Sequence, residues 1–271
     1  MQVLPSKPLS HLIKHYLFVE SNTRNIKKFR LFPDGNTGIV FSFHNKLISG
    51  SSTFNQVDYL PDSLVYGQIN SFKDIFCINE TSLLIIVFHP HGLHQFLGIP
   101  ANELIDKIID LKTLFGSAGS EVTEQLQESQ SLQQRIKIIE SFLTQLLKGH
   151  TLKIQPIVIA SVDFIVNHQG LASVNQLVSY TGYSGKSIER KFMETIGIFP
   201  KQFSKIVRLN MYLKDLRDNK NKKILDMAYA NGYYDHSHAY KDFKKITGVT
   251  QRQYIGEFNA LALNLLEFPQ Q

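Results

Sequence analysis

The sequence predicts an α+β protein: a β-rich, barrel- or sandwich-like domain with helices, followed by an all-α domain of two helix-turn-helix units on one long helix. Three observations carry this: a motif that occurs twice in the last hundred residues, short β-branched and aromatic runs in the first hundred, and a charge excess confined to the second half.

The repeat is the sharpest signal. Its first copy reads Tyr180-Thr-Gly-Tyr-Ser184-Gly-Lys-Ser-Ile188-Glu-Arg190-Lys-Phe192, then Gly197 and Phe203. The second reads Ala230-Asn-Gly232-Tyr-Tyr-Asp235-His-Ser-His-Ala239-Tyr-Lys241-Asp-Phe243, then Gly248 and Tyr254. Gly182 and Gly232 are 50 residues apart, while Phe192/Phe243 and Gly197/Gly248 are each 51 apart, so the copies differ by one inserted residue. A turn glycine, a polar N-cap and a short basic helix are what place a helix in a DNA groove. In each copy the glycine should end the first helix, with the following aromatic plugging the turn. Ser184 and Asp235 should cap the second helix. Helical spacing then puts Ile188, Phe192 and Ile196 on one buried face, and Ala239, Phe243 and Ile246 on the other. The free faces are the candidate DNA contacts: Lys186, Ser187, Glu189 and Arg190 in one helix, and His236, Ser237, Tyr240, Lys241 and Lys244 in the other. Cations suit guanine edges and a carboxylate can accept from cytosine.

Around these units, Ser173 should cap a short helix. Between them, Phe203, Ile206, Val207, Asn210, Leu213 and Leu216 lie at helical spacing from Pro200 to Arg217, a linking helix with one buried face. The units span about 173–197 and 223–248, and the pattern reads as helical from Ile157 to the end. Gly149 to Pro156, with a helix-stopping glycine and a helix-starting proline, marks the boundary between domains 1–150 and 151–271.

Ahead of that boundary, Phe29–Phe32 runs into the turn Pro33-Asp-Gly35. Gly38–Phe43, Ser63–Tyr66 and Asp74–Ile78 read as short strands, and Ser82–Phe88, apolar on both faces, as a central, doubly covered one. Leu93, Phe96 and Leu97 then keep helical spacing up to Pro100. Leu104, Ile105, Ile108, Ile109 and Leu111 form a second stripe before Gly116. Val122–Leu147 reads as one or two amphipathic helices, whose apolar stripe either joins two copies of the chain or covers the β-domain's own core.

Charge supports the division. Residues 1–150 hold 13 Lys/Arg and 13 Asp/Glu, whereas 151–271 hold 16 and 10, which is the whole +6 excess. A basic domain beside a neutral one suits a phosphate-binding module attached to a non-binding domain. With 43% hydrophobic and 19% charged residues the chain reads as globular. No apolar run spans a bilayer, and Met1–Ser10 lacks a signal layout. The single Cys77 fits a reducing compartment and a core position, so a cytoplasmic protein is expected. No Ser-His-Asp order, P-loop or paired-carboxylate motif appears, so no enzyme and no cofactor are expected. His89, His91 and His94 offer the competing reading, a metal-dependent β-barrel enzyme carrying a DNA-binding tail. Unrelated histidines at a strand end are the simpler explanation, and no metal is assigned. A protein-binding module is the other alternative for the N-terminal domain.

From about Ile157 to Tyr254 the residues resemble the AraC/XylS family of bacterial transcription regulators. The matching pattern is Ile224-Leu-Asp-Met-Ala228, then Asn231-Gly-Tyr-Tyr-Asp-His-Ser-His238, then Asp242-Phe-Lys-Lys245, then Gly248-Val-Thr and Tyr254. The resemblance implies two helix-turn-helix units on a shared helix and sequence-specific binding to double-stranded DNA in successive major grooves; an activator is the expected role, with a repressor the open alternative. The chain departs from the family where Gln251 replaces proline, Lys241 arginine and Ala239 an aromatic, which leaves the base preference of the second helix open. Leu31–Gly35, Val87–Gly92, Leu97–Pro100 and Glu103-Leu resemble the sensor-like domain of Bacteroidetes-type regulators. What that domain binds is not implied by the resemblance; the expected partners are double-stranded DNA, a small-molecule effector, RNA polymerase and a second copy of the chain joined through the N-terminal domain, with no membrane.

Overall fold

A computed structural model of the chain describes residues 1–21, 25–50, 57–149, 155–256 and 259–268. Its strands are β1 (Gln2–Val3), β2 (Ile13–Ser21), β3 (Lys27–Leu31), β4 (Gly38–Ser42), β5 (Ile48–Ser49), β6 (Ser63–Tyr66), β7 (Lys73–Cys77), β8 (Thr81–Phe88), β9 (Ile108–Asp110), β10 (Asn259–Ala262) and β11 (Leu265–Glu267). Its helices are α1 (Gly92–Leu97), α2 (Leu111–Glu128), α3 (Leu132–Gly149), α4 (Pro156–Asn167), α5 (Val174–Thr181), α6 (Gly185–Thr195), α7 (Pro200–Asp218), α8 (Ile224–Ala230), α9 (His236–Thr247) and α10 (Gln251–Gly256). The boundary predicted between residues 150 and 151 lies outside the described residues.

Two sheets form a sandwich, in the orders β1-β2-β8-β4-β6-β9 and β10-β11-β3-β7-β5. β8 is central, antiparallel to both β2 and β4. Its two-residue period sends Leu84, Ile86 and Phe88 to one face and Leu83, Ile85 and Val87 to the other. The first face packs under α1, α2 and α3 with Leu126 and Leu143, and the second faces the other sheet. A continuous apolar run is what two covered faces require.

Two sequence expectations are corrected and one open alternative is decided. The stripe Leu104–Leu111 is not a helix: Ala101–Leu104 makes a 3-10 turn, and Ile108–Asp110 becomes the edge strand β9 paired with β6. The apolar stripe of Val122–Leu147 covers the domain's own core, since Val122, Leu126, Ile139, Phe142 and Leu143 are all buried there. The chain is not helical to its end either. β10 and β11 return to the N-terminal domain, where β11 pairs antiparallel with β3. The second sheet is therefore built from both ends of the chain.

The helical region packs as two cores along α7. Val158, Ile165, Leu177, Ile188, Phe192 and Ile196 gather around Phe203, Ile206 and Val207 at one end of α7. Met227, Ala228, Tyr233, Ala239, Phe243 and Tyr254 gather around Leu209, Tyr212, Leu213 and Leu216 at the other. Nineteen residues of α-helix extend about 28 Å, so α7 acts as a rigid spacer between the units.

The two domains also touch directly. Phe32 from the N-terminal domain and Leu266 from the C-terminal hairpin are fully buried in the second unit's core. The turn before β4 meets α7, where Asn210 Nδ2 donates to the Asp34 carbonyl at 3.0 Å. Gly35 sits there at φ +82°, and a Cβ on it would lie 2.8 Å from the Phe203 ring, so both the turn and the close approach select glycine.

Candidate nucleic-acid interface

Each recognition helix is started by its own cap. Ser184 Oγ accepts from the Ser187 amide at 3.3 Å at the head of α6, and Asp235 Oδ1 accepts from the His238 amide at 2.7 Å at the head of α9. The helix before each is stopped by a glycine in the left-handed region, Gly182 and Gly232, both at φ +73°. Ser173 and Gln176 close a capping box on α5. The turn aromatics differ between copies. Tyr233 is buried against Tyr212 and plugs its turn, whereas Tyr183 is half-exposed and does not, which corrects the expectation for the first unit.

The buried faces match the spacing. Ile188, Phe192, Ile196, Ala239 and Phe243 are all fully buried, while Ile246 is only partly so and Thr247 lies deeper. On the outer face of α6, Lys186, Glu189 and Arg190 are exposed and Ser187 is half-buried. On α9, His236, Ser237, Lys241 and Lys244 are exposed and Tyr240 is half-buried. Tyr240 organises that surface: the His236 ring stacks on it at 6.3 Å between centroids, and Lys244 Nζ lies 5.9 Å from its centre. Both helices thus present cations from a helix whose N-terminus is polar and positive in potential, an arrangement suited to the edges and phosphates of a major groove.

Sequence spacing did not disclose how the second helix is held. Arg208 of α7 lies over the Tyr233 ring at 4.4 Å and approaches Asp242 of α9 at 3.4 Å, which His238 also approaches at 3.5 Å. Asn231 Nδ2 donates to Asp215 Oδ2 at 2.6 Å, tying the turn of the second unit to α7. Lys223 and Arg252 flank His236 and Tyr240 in a shallow groove beside α9. The signal available in sequence was polar residues on an otherwise apolar helix face, and that does not name their partners.

The histidines of the competing enzyme reading are engaged elsewhere. His91 Nε2 bonds the His11 carbonyl at 3.1 Å and His94 Nδ1 the Ile99 carbonyl at 2.9 Å. Burial, then the charge of Lys14, lowers the pKa of His89, and burial lowers that of His91. Among the described residues, no group of three or more His, Cys, Asp or Glu is placed to hold a metal ion. Cys77 is buried, which pushes its thiol up to about 11. No helix among the described residues is long and apolar enough to cross a membrane.

Two capped helices with exposed basic faces, packed at the two ends of one continuous helix, define a tandem helix-turn-helix DNA-binding module. Residues 177–256 match the family described as "Helix-turn-helix domain", and residues 1–110 match "Domain of unknown function (DUF6597)". Proteins of Staphylococcus aureus strains MRSA252 and COL, each named as an uncharacterized HTH-type transcriptional regulator, are 25% identical over 224 residues, which is 73% of this chain. The chain spans about 30% of the length of these relatives. Among solved structures, ToxT from Vibrio cholerae aligns with 89% of this chain and 97% of its own at 11% identity and a TM-score of 0.47. An AraC-type transcriptional regulator from Chromobacterium violaceum aligns with 38% of this chain and 92% of its own at 22% identity and a TM-score of 0.36. The chain thus carries a helix-turn-helix domain behind a DUF6597 domain.

Proposed function

We propose that this protein is a sequence-specific transcription regulator that lays α6 and α9 into successive major grooves on one face of the duplex, under the influence of its N-terminal domain. The observation that carries this reading is the pairing of two capped, basic helices with one rigid spacer. In this reading Lys186, Ser187, Glu189 and Arg190 meet one half-site, and His236, Ser237, Tyr240, Lys241 and Lys244 the other. Binding would be salt-sensitive, because each phosphate contact releases counterions.

The same proposal places the protein in the cytoplasm, acting as an activator with RNA polymerase, and gives it a small-molecule effector. A homodimer through the N-terminal domain belongs to it as well. With the stripe of α2 and α3 occupied by the core, that contact would use the partly exposed Leu146 and Leu147 beside exposed polar residues. Selection of the full-length protein on random duplexes tests the reading: it expects an asymmetric consensus with two blocks roughly 10 bp apart. Recovery of a single block, or of no consensus, would contradict it. Sedimentation of the full-length protein, with and without the selected duplex, tests the dimer.

A further inference from the structure

The two helix-turn-helix units touch each other directly, and not only through α7. The contact starts in the turn at residues 168–171, which joins α4 to α5 in the first unit. Gln169 and Gly170 both stand in the left-handed region, at φ +55° and +75°. The Gly170 amide donates to the Ile165 carbonyl at 2.8 Å and the Leu171 amide to the His168 carbonyl at 2.9 Å, so the turn is closed on the end of α4. It lies against the middle of α7: a Cβ on Gly170 would sit 2.2 Å from the Ser204 carbonyl oxygen and 2.6 Å from the Arg208 amide nitrogen. Only glycine fits both that backbone and that approach.

Leu171, next along the chain, reaches the turn of the second unit. A Cβ on Gly232 would lie 2.3 Å from Leu171 Cδ2. Gly182 holds the matching place in the first unit at the same φ of +73°, yet, its own chain neighbours aside, no described residue comes within 4 Å of a Cβ there. Both turns need glycine for their backbone, but only the second has its space occupied by a side chain of the other unit. Leu171 is half-exposed, so the contact buries little apolar area and serves placement more than stability. Arg208 makes the return link. Its backbone carries the first unit's turn, while its guanidinium lies 4.4 Å from the Tyr233 ring centre and its Nη2 3.4 Å from Asp242 Oδ2 of α9. One residue of α7 thus holds both units.

We propose that Leu171 and Arg208 are positioning residues that fix the angle between α6 and α9, and so make the number of base pairs between the half-sites a determinant of specificity beside the half-site sequences. The proposal deepens the reading above and rests on it, since it needs two helices that read two half-sites. α7 alone sets a distance but not an angle. Long helices curve, and a bend of about 10° at the middle of this 19-residue helix moves its end by ~2–3 Å, most of the ~3.4 Å step between base pairs. Linked modules gain ~10²–10⁴-fold over one alone only where geometry lets both engage. A clasped pair keeps that gain at one spacing and forfeits it at the neighbouring ones, whereas an unclasped pair spreads a smaller gain over several.

The test uses the full-length protein and duplexes carrying both selected half-sites at the selected spacing, at one base pair more and at one fewer. Duplexes with one half-site scrambled complete the set. By anisotropy titration the wild type should lose about a hundredfold in affinity at either altered spacing. Leu171→Ala should bind the selected spacing about tenfold more weakly, and lose no more than about threefold further at the altered ones. Arg208→Met, which keeps the stem and removes the guanidinium, should flatten the profile in the same way. Leu171→Met, which keeps the volume and reach, should retain the sharp wild-type profile. On duplexes with one half-site all four proteins should bind alike, a result that general loss of structure would not give. Leu171 is half-exposed, so its truncation keeps the test decisive if Arg208→Met fails to fold. A flat spacing profile in the wild type, or a sharp one in Leu171→Ala, would overturn the clasp. So would weakened binding of Leu171→Ala to a single half-site. Absence of sequence preference in the wild type would instead overturn the regulator reading, and the spacing rule with it.

Discussion

Asp235 gives the cleanest separation of structure from charge at the DNA-facing surface. Its carboxylate accepts from the His238 amide at 2.7 Å and starts α9, the helix that carries His236 and Ser237 in its first turn. Asp235→Ala removes the cap, at a cost of ~1 kcal/mol, and the favourable charge at a helix N-terminus, at ~0.3–1 kcal/mol more. Asp235→Asn keeps a cap of nearly equal strength and loses only the second part. For a domain of this size ~1 kcal/mol moves Tm by roughly 2–4 °C. Asp235→Ala should therefore melt roughly 3–8 °C below the wild type, and Asp235→Asn within about 4 °C of it. On DNA, both variants lose an acid beside the phosphates and should gain sequence-independent attraction alike. Only the alanine variant frays the first turn of α9, so it alone should lose preference in the second half-site while keeping it in the first. Calorimetry and anisotropy titrations on duplexes scrambled in one half at a time read both effects. Equal melting of the two variants, or equal loss in both half-sites, would refute the assignment of Asp235 as the cap that positions this helix.

Further outcomes follow from the same geometry. Arg190→Ala should relax preference in the first half-site by ~1–3 kcal/mol, whereas Lys222→Ala, exposed in the connection before α8, should weaken all duplexes evenly; selection with each variant checks this. Asp74 is a stability switch at low pH. Burial raises its pKa, but hydrogen bonds from Arg30 and Lys28 outweigh that and hold it below the ordinary carboxylate range. A depressed carboxylate contributes stability above its unfolded value and loses it as pH falls through the folded value. Asp74→Asn should therefore lower stability by about 1–3 kcal/mol at neutral pH and flatten the acid limb of a denaturation profile. An unchanged acid limb would remove Asp74 from that role.

The helical half was legible because its determinants are local. Caps such as Ser173, Ser184 and Asp235 act within three residues, and Gly182, Gly232 and Gly248 stop helices where the backbone turns left-handed. Strand β8 was legible for a different reason: a short, β-branched apolar run reads as a strand covered on both faces. The C-terminal hairpin was not legible. Its segment, containing Leu261-Ala-Leu-Asn-Leu-Leu266, is too short for its period to decide the conformation, and it becomes a strand by pairing with the free edge of β3, which lies more than two hundred residues earlier. Ile108 and Ile109 were lost to the helical reading in the same way, since β6 decides their conformation. Periodicity could not tell whether the stripe Val122–Leu147 faced a partner or its own domain, and only the packing of Leu126 and Leu143 on the sheet did. In the binding surface, spacing separated exposed residues from buried ones correctly at Lys186, Arg190 and Lys241, but gave no sign of the Arg208–Asp242–His238 contact that holds α9.

The central claim, that two recognition helices on one spacer read two grooves at once, is tested most directly by hydroxyl-radical footprinting of the full-length protein on its selected duplex across a salt series. Two windows of protection centred roughly 10 bp apart on one face, fading together as salt rises, are the predicted result. A single window, or protection indifferent to salt, would contradict it.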